Sequence, residues 1–465
     1  MNKTHVADMT AMEMLRAFRG RILSPVEAAR ACLERVAQYN DVVNAYCLVD
    51  EETTLAAARA SEERWQHGRP LGLVDGVPTA IKDVFMTRGW FNRKASHTIP
   101  DTPADEDAPA IAALRRNGFV PSGKVTTPEF GWKAVTDSPL YGITRNPWDP
   151  DKTPGGSSGG SSCAVALGMS PLSLGTDAGG SIRIPAAFTG IVGHKPTQGR
   201  CPIWPQSPFG ALAHPGPMTW TVEDAALLMN VISEPDPHDT TLPRPTEDYL
   251  VGLYGGVRGL RIAFSPNFGF IDVDPEIAAS VRQAAAVFEE LGAHVEERDP
   301  GFNDPLDAFN ILFCGGAANS MRDLGAEQRK TMDPGLVEVA EWAEQLSLLD
   351  YLWAQNERSA LIERMNLFHD RYDLLLSPSV PIPAFRAGLE VPENWHAKRW
   401  PTWTPFTYPF NMTGQPGCSV PCGFTAKGLP IGLQLMGGRH QDALVLRAAH
   451  AYQSARPLTA RRPQP

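Results

Sequence analysis

No run of apolar residues in this chain of 465 approaches the roughly 18–20 that a membrane-spanning helix needs, which excludes an integral helical membrane protein. Cysteine is scarce. The seven thiols, at positions 32, 47, 163, 201, 314, 418 and 422, are odd in number and form no C-x-x-C pair. That pattern excludes a disulfide framework and reads as reduced, mostly buried thiols. No H-E-x-x-H or similar ligand spacing occurs, so no metal is expected. A basic excess is missing too: 42 Lys and Arg face 52 Asp and Glu, a net charge of −10 and the wrong sign for gripping a phosphate backbone. Nucleic acid is therefore not an expected partner, and neither is a membrane. The opening residues, MNKTHVADMTAMEMLRAF, lack the charged-then-apolar pattern and cleavage site of an export signal. The expected location is cytoplasmic.

What is present suits a large ordered core. The apolar fraction is 43% and the charged fraction 20%, which excludes global disorder, while 41 Gly and 42 Pro imply many tight turns. Length alone gives a soft prior of about three domains. No internal repeat or long linker divides the chain, however, so one α/β domain over residues 1–465 is the preferred reading. Residues 1–68 read as helical, with Ser24-Pro25 and Glu27 forming a cap before VEAARACLERVAQYN and a second helix near Glu51–Gln66. Between 70 and 200 short apolar runs (VPTAI, GFVPSGK, PLSLGTD) alternate with glycine-rich turns and one helix, DAPAIAALRRNG. This texture indicates α/β layering around a buried sheet. VEDAALLMNVIS and PEIAASVRQAAAVFEELG read as helices, GLRIAF as a strand, and residues 300–400 as mainly helical with Pro/Trp-rich patches. Residues 230–400 form a variable region, and 404–455 close the domain with strands (CSVPCG, IGLQLMG) and a helix.

Two motifs mislead. Gly118 to Lys124 nearly spells a phosphate-binding loop, but it follows a helix, and Val125 stands where magnesium needs Ser or Thr. Gly155 to Gly160 satisfies G-x-S-x-G twice, yet the preceding NPWDPDKTP is loop chemistry, whereas a nucleophile elbow needs a buried strand there.

Three other segments carry chemistry together. GVPTAIKDVF presents Lys82 after an apolar run, where desolvation would lower its pKa and free the neutral amine. Taken alone, a Lys-Asp pair after a strand is more often a surface ion pair. TPGGSSGGSSCAVALG runs a Gly/Ser loop into a small-residue helix, an environment suited to an oxyanion, or by itself a linker. In LGTDAGGSIRIPAAFTG a strand ends at Asp177 and two glycines then present Ser181. The N–H groups of Ala178, Gly179, Gly180 and Ser181 could converge on one oxygen, with Asp177 and Arg183 bracing the turn.

In this order, and followed by G-x-K-P-T, these segments resemble the amidase signature family. The spacings look like the family's: Ser157 and Ser181 lie 24 residues apart, and Lys82 precedes Ser181 by 99. FNMTGQPGCSVPCG and LPIGLQLMGG also resemble its closing strands. The resemblance implies a central mixed β-sheet covered by helices on both faces. It also implies a Ser-cisSer-Lys relay that needs no cofactor. In it Ser181 is the nucleophile, Ser157 (after a cis bond from Gly156) the bridge, and Lys82 the base. Ser158, Gly156, Asp177 and Arg183 are the supporting residues.

The implied reaction is hydrolysis of the C–N bond of a small aryl or alkyl amide through an acyl-enzyme. A carbamate (urethane) suits the same relay, and family analogy leaves a homodimer open. A reading of another class is the A-type subunit of a tRNA-dependent amidotransferase, which needs partner subunits. Specificity is expected in residues 125–145, 200–215 and 300–410, with Trp132, Tyr141, Trp204, Phe209 and Cys314 as candidate substrate contacts. The alternative for each aromatic is a place in the core.

Overall fold

The computed structural model describes residues 5–239, 247–457 and 462–465. Residues 1–4 of the helical N-terminal segment lie outside this range. Eleven strands build the main sheet: β1 (Tyr46–Leu48), β2 (Pro78–Lys82), β3 (Val120–Val125), β4 (Leu172–Asp177), β5 (Val192–Lys195), β6 (His214–Thr219), β7 (Arg261–Phe264), β8 (His294–Glu297), β9 (Leu374–Pro378), β10 (Gly417–Phe424) and β11 (Pro430–Gly437). Their spatial order is β1-β3-β2-β4-β6-β5-β10-β11-β9-β7-β8. β3, β2 and β4 run parallel, as do β9, β7 and β8, while the central pairs are antiparallel. The result is a single-domain α/β fold with a mixed sheet flanked by helices.

Alternation along β9 shows why both faces are covered. Successive strand side chains point to opposite faces. Leu374 and Leu376 accordingly join a core cluster with the helices Val222–Ile232, Pro275–Glu290 and Asp442–Ala455. Leu375 enters a separate cluster with Met365, Phe406 and Phe410. Each such Leu, fully removed from water, contributes about 1.5–3 kcal/mol of transfer free energy.

The expected helices form at Pro25–Val43, Glu51–Gln66, Pro109–Arg116, Val222–Ile232 and Pro275–Glu290. At Ser24 the cap is complete: Ser24 Oγ accepts from Glu27 N at 3.2 Å, and Ser24 N donates to Glu27 Oε2 at 2.8 Å. Five strands went unread in the sequence: β1, β5, β6, β8 and β9. β1 interrupts the helical N-terminal segment as a three-residue edge strand antiparallel to β3, and β9 lies within the segment read as mainly helical. Among the described residues no helix is long and apolar enough to cross a membrane.

The site is positioned by two adjacent parallel strands. β2 and β4 pair from Thr79–Leu172 to Ile81–Leu174, so Lys82 and Asp177 emerge at their carboxyl ends. In open α/β sheets the crevice beyond the strands' carboxyl ends is where ligands bind.

The N-terminal helix Ala11–Arg19 is tied to the body by a carboxylate far along the chain. Thr10 caps Glu13 N, while the N–H groups of Ala11 and Met12 both donate to Asp224 at 3.0 Å. Removing this acceptor strands two helix-terminal donors. Asp224→Ala should therefore lower the free energy of unfolding by about 1.5–3 kcal/mol, read by urea denaturation. An unchanged midpoint would show that solvent satisfies those N–H groups.

Candidate active site

Lys82 ends β2 with no exposed surface. Its Nζ lies 2.7 Å from Ser157 Oγ, 2.9 Å from Ser158 Oγ and 2.8 Å from Thr176 Oγ1. Burial drives its ammonium well below the ordinary 10.5, and the field of Asp177 offsets this only in part. A neutral amine has two N–H donors and one lone pair. The Ser158 hydroxyl donates to the Thr176 carbonyl at 3.2 Å and accepts from Thr176 N at 3.2 Å, so toward Lys82 it can only accept. One N–H and the lone pair then remain for Ser157 and Thr176. With Thr176 accepting, the Ser157 O–H is directed at the lone pair, the arrangement a base requires.

Ser157 and Ser158 precede the helix Gly159–Ala166, and the Gly156–Ser157 peptide bond is cis. Ser181 follows β4 across the turn Ala178–Gly180. Its backbone carbonyl accepts from Ser158 N at 3.2 Å, which joins the two serine segments. Both Ser157 and Ser181 line one cavity of about 370 Å³. No hydrogen bond joins their hydroxyls.

The turn is braced by Asp177 and Arg183, a fully buried pair with Nε to Oδ2 at 3.0 Å and Nη2 to Oδ1 at 3.1 Å. Burial pushes the Asp177 carboxyl up. The Arg183 guanidinium, with help from Lys195 and Asn411, outweighs it and holds the group well below the usual carboxylate range. Asp177 Oδ1 also accepts from Gly180 N at 2.7 Å. The expected four-donor oxyanion cradle is thus corrected to three, because Gly180's N–H is spent on Asp177. Among the described residues, the N–H groups of Ala178, Gly179 and Ser181 have no intramolecular acceptor. At Gly180 φ is +126°, and an added Cβ would collide with the Thr407 side chain. At Gly179 it would meet the Trp400 ring at 2.7 Å.

Of the expected substrate contacts, Trp204 and Phe209 line the catalytic cavity. Three do not. Trp132 and Cys314 line a neighbouring cavity of about 230 Å³ with Trp342 and Trp400. Phe209 stacks on Phe313 at 4.4 Å, so the two cavities meet across an aromatic pair. Tyr141 lines neither of these cavities, because its hydroxyl is committed to Asp83 at 2.9 Å.

Sequence reasoning missed several neighbours. Thr176 was legible only as a strand residue. Lys124, the lysine of the false phosphate loop, lies on β3 and pairs with Asp83 at 3.3 Å, with both side chains fully buried. His214 opens β6 and lines the catalytic cavity; its Nδ1 is 2.7 Å from the Leu212 carbonyl and 3.1 Å from that of Asp177. Burial above all holds this imidazole well below its ordinary 6.5. No local motif marked it. Lys94 and Asn92 also line the cavity.

The family model described as Amidase matches residues 27–446. An acylamidase of Rhodococcus erythropolis is 36% identical, covering 100% of this chain and 98% of that protein. The A-type subunit of the glutamyl-tRNA(Gln) amidotransferase of Myxococcus xanthus (strain DK1622) is 37% identical, covering 96% and 97%. Among solved structures, a bacterial aryl acylamidase of the amidase signature enzymes superposes with a TM-score of 0.92 at 31% identity, covering 98% and 97%.

Thr176→Val should leave one Lys82 N–H without an acceptor and disturb the lone-pair direction. Turnover of any substrate should fall roughly tenfold in kcat with little change in KM. A change confined to KM would assign Thr176 to substrate contact instead.

Proposed function

The chain belongs to the amidase signature family, and from that premise we propose that it hydrolyses the C–N bond of small linear amides through an acyl-enzyme on Ser181. One observation carries the reading: a fully buried Lys82, its ammonium disfavoured by burial, is hydrogen-bonded to Ser157, with Ser181 in the same cavity. Lys82 takes the Ser157 proton as Ser157 takes that of Ser181, and Ser181 Oγ attacks the carbonyl carbon. The N–H groups of Ala178, Gly179 and Ser181 receive the oxyanion. Collapse breaks the C–N bond while Ser157 returns a proton to the departing nitrogen and Lys82 reprotonates Ser157. Water then enters by the same relay in reverse and releases the acid. The two serine hydroxyls must share a hydrogen bond in this sequence, and catalytic contacts that are long without substrate commonly tighten when it binds.

The Myxococcus relative supports a second reading, a subunit that releases ammonia only within a larger assembly. The acylamidase relative and the structural likeness to an aryl acylamidase favour a self-sufficient enzyme. A carbamate presents the same carbonyl to the same relay. Its alkoxy oxygen donates electrons into that carbonyl and makes it a poorer electrophile than the amide.

Amine release from an aryl amide and from the carbamate of the same aniline tests these readings, with Ser181→Ala as the blank. The expected result is faster cleavage of the amide by the isolated chain. Faster carbamate cleavage would make the enzyme a urethanase. Silence on both from folded protein would favour the assembly-dependent subunit.

The sign of the pH dependence follows from Lys82. Only the neutral amine accepts a proton, so kcat should be retained well below pH 10.5 and lost as pH falls through the depressed Lys82 value. An activity limb near 10.5 would show a solvated, ordinary ammonium.

A further inference from the structure

The amide chemistry leaves one charged side chain of the catalytic cavity without a task. Among the described residues lining it, Lys94 alone carries a formal charge. Among the described residues its ammonium has no hydrogen-bond or ion-pair partner. Asp83, the nearby carboxylate, is already engaged by Lys124, by the Tyr141 hydroxyl and by Ala95 N. Burial pushes the Lys94 ammonium below its usual range, and Asp83 offsets this only in part. An unpaired, partly desolvated cation is costly, and an arriving anion would recover that cost.

The backbone says which side of the cavity Lys94 serves. Residue 94 has φ of +50°, a left-handed conformation uncommon for lysine. Its carbonyl accepts from Phe130 N at 2.8 Å. Phe130 leads directly into Gly131, where an added Cβ would lie 3.3 Å from Ser157 Oγ. The loop bearing Lys94 is therefore stitched to the segment that covers Ser157. In the relay proposed above, Ser157 hands its proton to the departing nitrogen, so the leaving amine lies against this wall.

We propose that Lys94 selects substrates whose leaving amine bears a carboxylate, as in N-acyl amino acids and N-acyl aminobenzoates, by pairing its ammonium with that carboxylate. The assignment rests on the amide reading of Ser181. It extends that reading from reaction type to substrate class.

Three anilides separate the possibilities: 4-acetamidobenzoate, with the carboxylate on the leaving amine; 4-acetamidoacetophenone, uncharged; and succinanilate, with the carboxylate on the acyl side. Comparing wild type with variant cancels intrinsic leaving-group differences. In Lys94→Met the kcat/KM ratio of the benzoate to the uncharged anilide should fall about tenfold, through KM, as expected for a lost charge-assisted hydrogen bond. In Lys94→Glu it should fall further. An unchanged ratio, or an equal loss on all three substrates, would overturn the assignment. A loss confined to succinanilate would overturn its placement on the leaving-group side. Binding provides a readout independent of chemistry: in the Ser181→Ala protein, adding Lys94→Met should weaken 4-acetamidobenzoate about tenfold by calorimetry. Unaltered affinity there would reject the Lys94 assignment, whereas that weakening without wild-type turnover of any anilide would reject the amide reading instead.

Discussion

The buried ion pair between Asp177 and Arg183 is the interaction on which the site is hung. Arg183 does not stop at Asp177. It donates to Gln434 Oε1 at 2.9 Å, to the Thr407 carbonyl at 3.0 Å and to Asn411 Oδ1 at 2.7 Å. Asn411 returns a bond to Asp177 at 2.8 Å. One guanidinium thus joins the end of β4, the first turn of the helix Arg183–Thr189, the segment Thr407–Asn411 and the middle of β11. Each partner is satisfied, which is what makes such a pair tolerable in a dry interior; removing one member of a buried pair typically costs about 3–5 kcal/mol. The Ser181 turn inherits its shape from this network, since Gly180 N and Ile182 N both donate to the same carboxylate.

The same network explains how a lysine can be neutral so close to an aspartate. Lys82 and Asp177 end neighbouring strands, and the Asp177 charge alone would favour the ammonium. Arg183 compensates that charge at contact distance. Three neutral hydroxyls around Lys82 then provide hydrogen bonds without a counter-ion, so desolvation prevails. The two buried cationic side chains differ in their partners: Arg183 faces a carboxylate, whereas Lys82 is met by serines and a threonine and its ammonium is disfavoured by burial.

Much of this was legible because backbone constraints write themselves into local sequence. The strand run before Lys82, the Ser24 cap and the glycines after Asp177 each follow from short-range rules of burial, capping and turn chemistry. The bracing pair was legible for the same reason, being six residues apart on one turn. What escaped was set by the packing of distant segments. Thr176 reads as an ordinary strand residue until β2 is placed beside β4. Tyr141 and Trp132 are aromatic residues like Trp204 and Phe209, and only the fold reveals that one caps Asp83 and the other faces a different cavity. Lys124 looked like half of a phosphate loop because its partner Asp83 is 41 residues away in sequence.

The division of the aromatic interior into two cavities has a mechanical consequence. Phe209 and Phe313 stack across the boundary, and Trp400, which lines the second cavity, also makes an edge-to-face pair with Phe313 at 5.2 Å. The Trp400 ring lies against Gly179, where even a methyl group would have no room. Gly179 carries one of the three N–H groups of this turn that have no intramolecular acceptor among the described residues. The ring that shapes the second cavity is thereby also a backstop for the catalytic turn. Because packed aromatics resist small displacements, the position of that N–H is fixed from behind by side chains that do not line the catalytic cavity. The second cavity and the turn that carries Ser181 are therefore linked through packing, with Trp400 as the shared wall.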